Sequence, residues 1–146
     1  MRIRSHVPAF LPPKSLTPQN PHIPNPLVGT GHNVVLVIGC TVRKDQTSLH
    51  GLDFPSTPYL ETMAGEGVVF NDVITSAPWT KTSTAAITSG YHALSIGMIE
   101  GGKGRNHRVL SSEVETLSDH LRSAGYRTLG LTTNPNTNKI FGFDQG

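Results

Sequence analysis

The sequence of 146 residues predicts an α/β fold, a mostly parallel sheet with flanking helices. Three observations predict it. Val34–Ile38 is an uninterrupted β-branched and aliphatic run, typical of a strand buried on both faces of a parallel sheet. Strand and helix patterns then alternate in the order β-α-β-α-α-β. Glycines stand where several of these patterns end, as expected for helix C-termini and turns.

The elements that follow the first strand are predicted from local signals. Pro58 suits the first turn of a short helix over Tyr59–Ala64, and two glycines follow that helix. Residues 68–70 and 73–74 predict a second, partly polar strand. The small residues of Ser83–Ser89 predict a second helix that packs closely.

The last third of the chain repeats the alternation. Residues 97–108 are rich in glycine and predict a surface loop. Ser112 and Glu115 have the spacing of a capping box, which predicts that a third helix opens there and ends at Gly125. Arg127–Leu131 predicts another strand.

Residues 1–31 differ in composition from the rest. They contain seven of the 11 prolines, among Ser, Thr, Asn and Gly. Proline removes amide donors and disfavours helices and central strands, so we expect a loose, disordered tail before a domain over residues 32–146. A proline-binding partner for the tail is the alternative interpretation.

Composition excludes several classes of function. The net charge is only +2 and no Lys/Arg run is present, which argues against a nucleic-acid-binding groove. Cys40 is the single cysteine, so no intramolecular disulfide is possible. No signal peptide and no transmembrane span is visible in the sequence. We therefore expect a cytoplasmic protein that contacts neither nucleic acid nor membrane.

Two positions follow predicted strands, where α/β folds place their ligands. Cys40 comes directly after the first strand, and Thr80 follows the second strand and opens a helix. Backbone N–H groups and the positive dipole end at a helix N-terminus favour a bound sulfate or phosphate beside a nucleophile. The simpler alternative is that Thr80, Thr82 or Ser83 is only an N-cap.

The landmarks of a known family occur in order along residues 33–146. Thr57–Glu61 is similar to T-P-N-L-D, Glu66–Asp72 to E-G-V-x-F-x-N, and Ala77–Gly90 to A-P-W-T-x-P-S-x-A-S-L-x-T-G. The segments Asn33–Gly51, Leu117–Tyr126 and Gly142–Gly146 match further landmarks. Together they resemble the N-terminal portion of the sulfatase domain, within the alkaline phosphatase superfamily.

The resemblance implies a nucleophile beside a divalent metal, Ca²⁺ or Mg²⁺. Thr80 occupies the nucleophile position, where sulfatases carry a formylglycine made from cysteine or serine and phosphoryl-transferring relatives often carry threonine. The family's proline and basic residue after the nucleophile are replaced by Thr82 and Thr84. Lys81 and Arg43 are therefore the candidates to supply positive charge.

The resemblance also locates the first metal ligand. The family's first metal aspartate is replaced by Cys40, and the hydroxyl of Thr41 stands beside it. A thiol is a poor ligand for a hard cation that prefers oxygen, although it suits a softer metal such as Zn²⁺. The alternative role for Cys40 is a small buried filler. Asp45 is expected to be a structural or surface residue.

Three functional hypotheses remain open from the sequence. The first is a sulfatase-like hydrolase (a sulfuric ester hydrolase by resemblance) that is impaired in this chain. The second is a phosphoryl hydrolase or transferase with Thr80 as nucleophile. The third is a non-catalytic remnant or a subunit of a split enzyme. We expect a truncated domain, with a second chain supplying the C-terminal half and with small sulfate or phosphate esters as substrates of any active form.

Overall fold

The computed structural model describes residues 31–99 and 108–146. These ranges contain three α-helices, α1 (Pro58–Ala64), α2 (Thr80–Ser89) and α3 (Leu117–Ser123). Short 3₁₀ helices occur at Lys44–Gln46, Ser48–His50, Pro135–Thr137 and Lys139–Phe141. The predicted proline-rich tail and most of the predicted glycine-rich loop lie outside the described residues. No helix in the described ranges is long and apolar enough to cross a membrane.

The chain divides into two compact units. The first unit holds Asn33–Thr75, and the second unit holds the described residues between Ser76 and Gly146. The buried apolar side chains of the described residues all belong to the second unit. They are Ala85, Ala93, Met98, Leu110, Val114 and Phe141.

Helix α1 forms in the first unit as the sequence predicts. Thr57 precedes it and Pro58 is its first residue, where the missing proline N–H costs nothing. The helix is tied to the preceding 3₁₀ turn by polar groups, because the Ser48 hydroxyl donates to the Glu61 carboxylate and lies 3.2 Å from the Thr57 hydroxyl. Gly65 ends the helix with a right-handed φ of −66° rather than a left-handed turn.

Helix α2 begins three residues earlier than its predicted start at Ser83. Its end agrees with the prediction, since Gly90 takes a left-handed φ of 72° and donates its N–H to the Ala86 carbonyl. The earlier start makes Thr80 the first helical residue.

Helix α3 has its capping box four residues later than predicted. The Thr116 hydroxyl accepts from the Asp119 N–H at 3.3 Å, and the Thr116 N–H donates to the Asp119 carboxylate at 2.8 Å. The predicted box at Ser112 and Glu115 is wrong, because this stretch forms a turn that buries Val114 in the core. The predicted end is confirmed by the left-handed Gly125, whose φ is 89°.

The segments predicted as strands carry no regular strand in the part of the chain that the structure describes. Val35 is 80% exposed and Leu36 is 52% exposed, so the expected burial of Val34–Ile38 is not present. The physical reason is that no strand is paired with this segment within the described residues, and an unpaired strand has nothing to cover its faces. The α/β fold class stays a prediction.

Candidate active site

The first turn of α2 holds the predicted nucleophile position. Thr80 is the first helical residue and is half-buried, and Trp79 is the N-cap with φ −109° and ψ 137°. The N-cap residue is Trp79, whose side chain makes no cap hydrogen bond, so the interpretation of Thr80, Thr82 or Ser83 as the N-cap is wrong. The Ser83 hydroxyl instead donates back to the Trp79 carbonyl at 2.8 Å. The positive end of the helix dipole at this N-terminus favours an anion.

Helix α2 is fixed because its inner face is part of the second unit's core. Ala85 is completely buried, and its small side chain lets the helix approach its neighbours closely. The many hydroxyls of this helix are accommodated by bonds to the preceding turn. Thr88 donates to the Thr84 carbonyl at 2.9 Å and Ser89 to the Ala85 carbonyl at 2.6 Å. The residue at the start of this helix is therefore held on a packed element.

Lys81 is buried despite its charge. Its side chain is only 4% exposed, and its ammonium nitrogen lies 4.2 Å from the centroid of the Phe141 ring. A cation over an aromatic face is stabilised by the ring quadrupole. Phe141 is itself tied to the core, because its carbonyl accepts from the Leu110 N–H at 2.9 Å. The positive charge next to Thr80 is thus held in a fixed place. No signal in the sequence indicated this contact between Lys81 and Phe141.

The hydroxyl of Thr82 is the least satisfied group of this turn. Thr82 is 4% exposed, and its Oγ1 has no hydrogen-bond partner among the described residues. A buried hydroxyl without a partner costs about 1–3 kcal/mol. Thr82 stands where the resembled motif has proline, which carries no side-chain polar group to satisfy.

The second predicted position, Cys40, lies in a tight turn of the first unit. Thr41 has a left-handed φ of 56°, a conformation that β-branched residues avoid. A Cβ on Gly39 would lie 3.1 Å from the Val42 Cγ2, so this glycine allows the chain to fold closely back. Cys40 is exposed, and its interpretation as a small buried filler is therefore wrong.

Arg43 is paired with its near neighbour. Its guanidinium donates through Nε to the Asp45 carboxylate at 2.9 Å, and its Nη2 lies 2.5 Å from the other carboxylate oxygen. The hydrogen bond from Arg43 holds the pKa of Asp45 below its ordinary value, and the same bond raises the pKa of Arg43. Both side chains are exposed, which agrees with the expected surface role of Asp45.

The described residues do not by themselves fit a hard divalent cation. No group of three or more His, Cys, Asp or Glu side chains is close enough to hold a metal within residues 31–99 and 108–146. Ca²⁺ and Mg²⁺ prefer several oxygen ligands, whereas the predicted position offers the thiol of Cys40 and the hydroxyl of Thr41.

The predicted site residues are distributed over both units. Thr80 and Lys81 lie in the first turn of α2 in the second unit. Cys40, Thr41 and Arg43 lie within four residues of one another in the first unit. Each group is brought together locally by a single turn of backbone.

Comparisons with known proteins agree on one family. A family model described as Sulfatase matches residues 32–145. An arylsulfatase of Clostridium perfringens (strain 13 / Type A) is 32% identical over 98 residues, which cover 66% of this chain and 19% of the relative. The chain therefore spans about one fifth of the length of that relative. No solved structure matches the chain significantly.

Proposed function

Because the chain belongs to the sulfatase family, we propose that it contributes the nucleophile-bearing part of a sulfatase-type ester hydrolase. The observation that carries the proposal is the position of Thr80 as the first residue of α2, at the helix N-terminus directly after the N-cap Trp79. Such a terminus stabilises the anionic group of a small sulfate or phosphate ester beside the hydroxyl. The family generally uses a divalent metal, for which this chain's described residues supply too few oxygen donors.

The proposed role of each residue follows from its surroundings. The Thr80 oxygen attacks the sulfur or phosphorus of the bound ester while the bond to the ester's alcohol oxygen breaks, and the alcohol leaves with the hydroxyl proton. Water then cleaves the ester formed on Thr80 and releases sulfate or phosphate. The buried ammonium of Lys81, fixed over Phe141, adds positive potential near the same turn. Arg43 contributes less, because its charge is already paired with Asp45 at the surface.

A phosphoryl hydrolase or transferase is the second candidate, and the identity of residue 80 favours it. Threonine is not the cysteine or serine from which sulfatases make formylglycine, so sulfate cleavage by the usual route is not open to this chain. A threonine hydroxyl can still act as a nucleophile toward phosphorus when it is activated. A non-catalytic subunit is the third candidate, and the cysteine at position 40 supports it.

The experiment places the segment in a complete enzyme. Residues 32–145, the range that the family model matches, replace the corresponding segment of the Clostridium perfringens arylsulfatase, with Cys40→Asp to restore an oxygen ligand. Hydrolysis of 4-nitrophenyl sulfate and 4-nitrophenyl phosphate is then measured with Ca²⁺ or Mg²⁺. We expect hydrolysis that Thr80→Ala abolishes and that Thr88→Ala, a change on the same helix, leaves within about twofold.

The relative hydrolysis of the two substrates distinguishes the sulfatase candidate from the phosphoryl candidate. Thr80-dependent release from the phosphate ester supports the phosphoryl candidate, and release from the sulfate ester supports a sulfatase with an unmodified nucleophile. A folded chimera without Thr80-dependent turnover of either ester would reject both catalytic candidates. The purified 146-residue chain alone is expected to show no metal-dependent turnover, because its described donors do not form a metal site.

A further inference from the structure

Two buried hydroxyls of the second unit have no hydrogen-bond partner. They belong to Ser76 and Thr82, whose Oγ and Oγ1 are the buried side-chain oxygens without a partner among the described residues. Nearly all buried polar groups in folded proteins are hydrogen-bonded, so each exception calls for a physical explanation. These two exceptions lie on either side of Thr80 in the sequence, and they therefore flank the proposed nucleophile.

The chain's own atoms cover both hydroxyls. Thr82 is 4% exposed on a helix that packs on the core, and Ser76 is half-buried with its oxygen inaccessible. A further protein segment would have to displace this cover before it reached either oxygen. Pro78 and Trp79, which lie between the two residues in the sequence, are exposed, so the turn that joins the two hydroxyls is open to small solutes. A small partner therefore suits these hydroxyls better than another part of a protein.

Thr82 brings two donors to the start of α2. It is the third helical residue, and the first backbone bond of the helix is donated by the Ser83 N–H to the Trp79 carbonyl at 2.9 Å. The Thr82 N–H precedes that bond and donates to no carbonyl within the described ranges. Because the Cα–Cβ bonds of a helix tilt toward its N-terminus, the Thr82 side chain leans toward the same end. The resembled motif has proline at this position, which carries neither donor.

An anion fits these donors better than a neutral partner does. The N–H of Thr82 and the two hydroxyls can all donate, and the positive end of the dipole of a 10-residue helix lies beside them. Hydrogen bonds to an ionised acceptor are about twice as strong as bonds between neutral groups. A bound water could accept from the same hydroxyls, but it is neutral and gains little from the dipole.

We propose that the Thr82 and Ser76 hydroxyls bind the tetrahedral anionic group, sulfate or phosphate, of the ester that Thr80 attacks. The proposal rests on the proposed function, because it concerns the substrate of the same site. Several oxygens of one tetrahedral anion can accept from different donors, so both hydroxyls and the Thr82 N–H can act on one group. Thr82 then provides hydrogen bonds that a proline at this position could not make.

The test titrates the isotope-labelled 146-residue chain with inorganic phosphate and inorganic sulfate at constant ionic strength, with chloride as the control anion. We expect saturable shifts of the Ser76 and Thr82 amide resonances with the two tetrahedral anions and none with chloride. Phenyl phosphate and phenyl sulfate then distinguish the two ester classes. The phosphate ester should bind more tightly, because its group carries a charge of about −1.5 to −2 at neutral pH. Tighter binding of phenyl sulfate would assign the same hydroxyls to sulfate esters.

Three variants separate the Thr82 hydroxyl from the rest of the helix. Thr82→Val keeps the shape of the side chain and should weaken phosphate binding about tenfold, the effect of losing a hydrogen bond to a charged group. Thr82→Ser keeps the hydroxyl and should bind within about threefold of the wild-type chain. Thr88→Val is the matched control, because the Thr88 hydroxyl is already bonded to the Thr84 carbonyl at 2.9 Å. It should change phosphate binding by less than about twofold.

Unfolding midpoints measured with and without phosphate distinguish binding from a structural role. Thr82→Val should raise the midpoint without phosphate, because it removes a buried hydroxyl that has no partner among the described residues. Phosphate should raise the midpoint of the wild-type chain more than that of Thr82→Val, because a ligand stabilises the state that it binds. An equal effect of phosphate on the two proteins would assign the hydroxyl a structural role only.

Absence of saturable shifts, or phosphate binding that Thr82→Val leaves unchanged, would overturn the proposal. The chimera described above separates this result from the catalytic proposal. Phosphate binding that depends on Thr82, in a chain whose chimera shows no Thr80-dependent turnover, would support the anion site and reject the catalytic role. Thr80-dependent turnover with a KM that Thr82→Val does not raise would support catalysis and reject the anion-binding role of Thr82.

Discussion

The two units of this chain are stabilised by different means. The second unit buries Met98, Leu110 and other apolar side chains around α2, whereas the first unit buries no apolar residue among those described. Yet the most continuous apolar run of the sequence, Val34–Ile38, lies in the first unit. The hydrophobicity of a segment therefore indicates its need for burial, while the burial itself depends on which neighbours are present.

The largest expected difference comes from the same substitution in each unit. Leu110→Ala should lower the free energy of unfolding by about 2–5 kcal/mol, because it opens a cavity in the core. Leu36→Ala should change it by less than about 0.5 kcal/mol, because that side chain already contacts water. Urea unfolding followed by the fluorescence of the single tryptophan, Trp79, measures the first effect, and circular dichroism checks the second. Equal losses in the free energy of unfolding would mean that the two units bury these leucines to the same extent.

The buried ammonium of Lys81 offers a sharper test within the second unit. A double-mutant cycle with Lys81→Met and Phe141→Leu should give a coupling free energy of about 0.5–2 kcal/mol, the range of a desolvated cation over an aromatic ring. The cycle is needed because each single change also alters packing. A coupling near zero would mean that the contact does not hold the first turn of α2.

The unsatisfied hydroxyl of Thr82 predicts a gain in stability. Thr82→Val keeps the shape of the side chain and removes a buried group without a partner, so the free energy of unfolding should rise by about 1 kcal/mol. Thr88→Val is the control on the same helix, because the Thr88 hydroxyl is bonded to the Thr84 carbonyl and its removal should bring no gain. Equal effects of the two changes would show that the Thr82 hydroxyl has a partner in solution.

The smallest expected effect concerns pH and the first unit. Arg43 lowers the pKa of Asp45 in the folded chain, so this pair adds stability above the unfolded pKa and loses it as the pH falls through the folded pKa. Asp45→Asn should therefore lower the unfolding midpoint slightly at neutral pH and leave it unchanged below the carboxyl pKa. The pair is exposed, which keeps the difference small. A larger effect at low pH than at neutral pH would contradict this sign.

The positions of the helices could be predicted from the sequence more accurately than the contacts that the helices make. Pro58, Gly90 and Gly125 are local signals, and the helix ends near them agree with the structure. The capping box is predicted at the wrong place because Ser112 and Glu115 match the usual S/T-x-x-E pattern, whereas the observed box of Thr116 uses an aspartate, Asp119.

The candidate site was predictable only in part. Thr80 at the start of a helix follows from the sequence, as does the unusual residue at position 40. The contact between Lys81 and Phe141 joins positions far apart in the chain, so no local pattern encodes it. The exposure of Cys40 could not be predicted from the sequence either, because the burial of a residue depends on neighbours that a single segment does not specify.

Hydrogen exchange of the purified 146-residue chain, read by mass spectrometry, tests the contrast between the units most directly. Amides in the last turns of α2, near Ala86 and Ser89, should be protected, because they are bonded within a helix that packs on the core. Amides of Val34–Ile38 should exchange at nearly the rate of an unstructured peptide, because they have no described partner. Protection of Val34–Ile38 equal to that of α2, in the chain alone and at low concentration, would contradict the account.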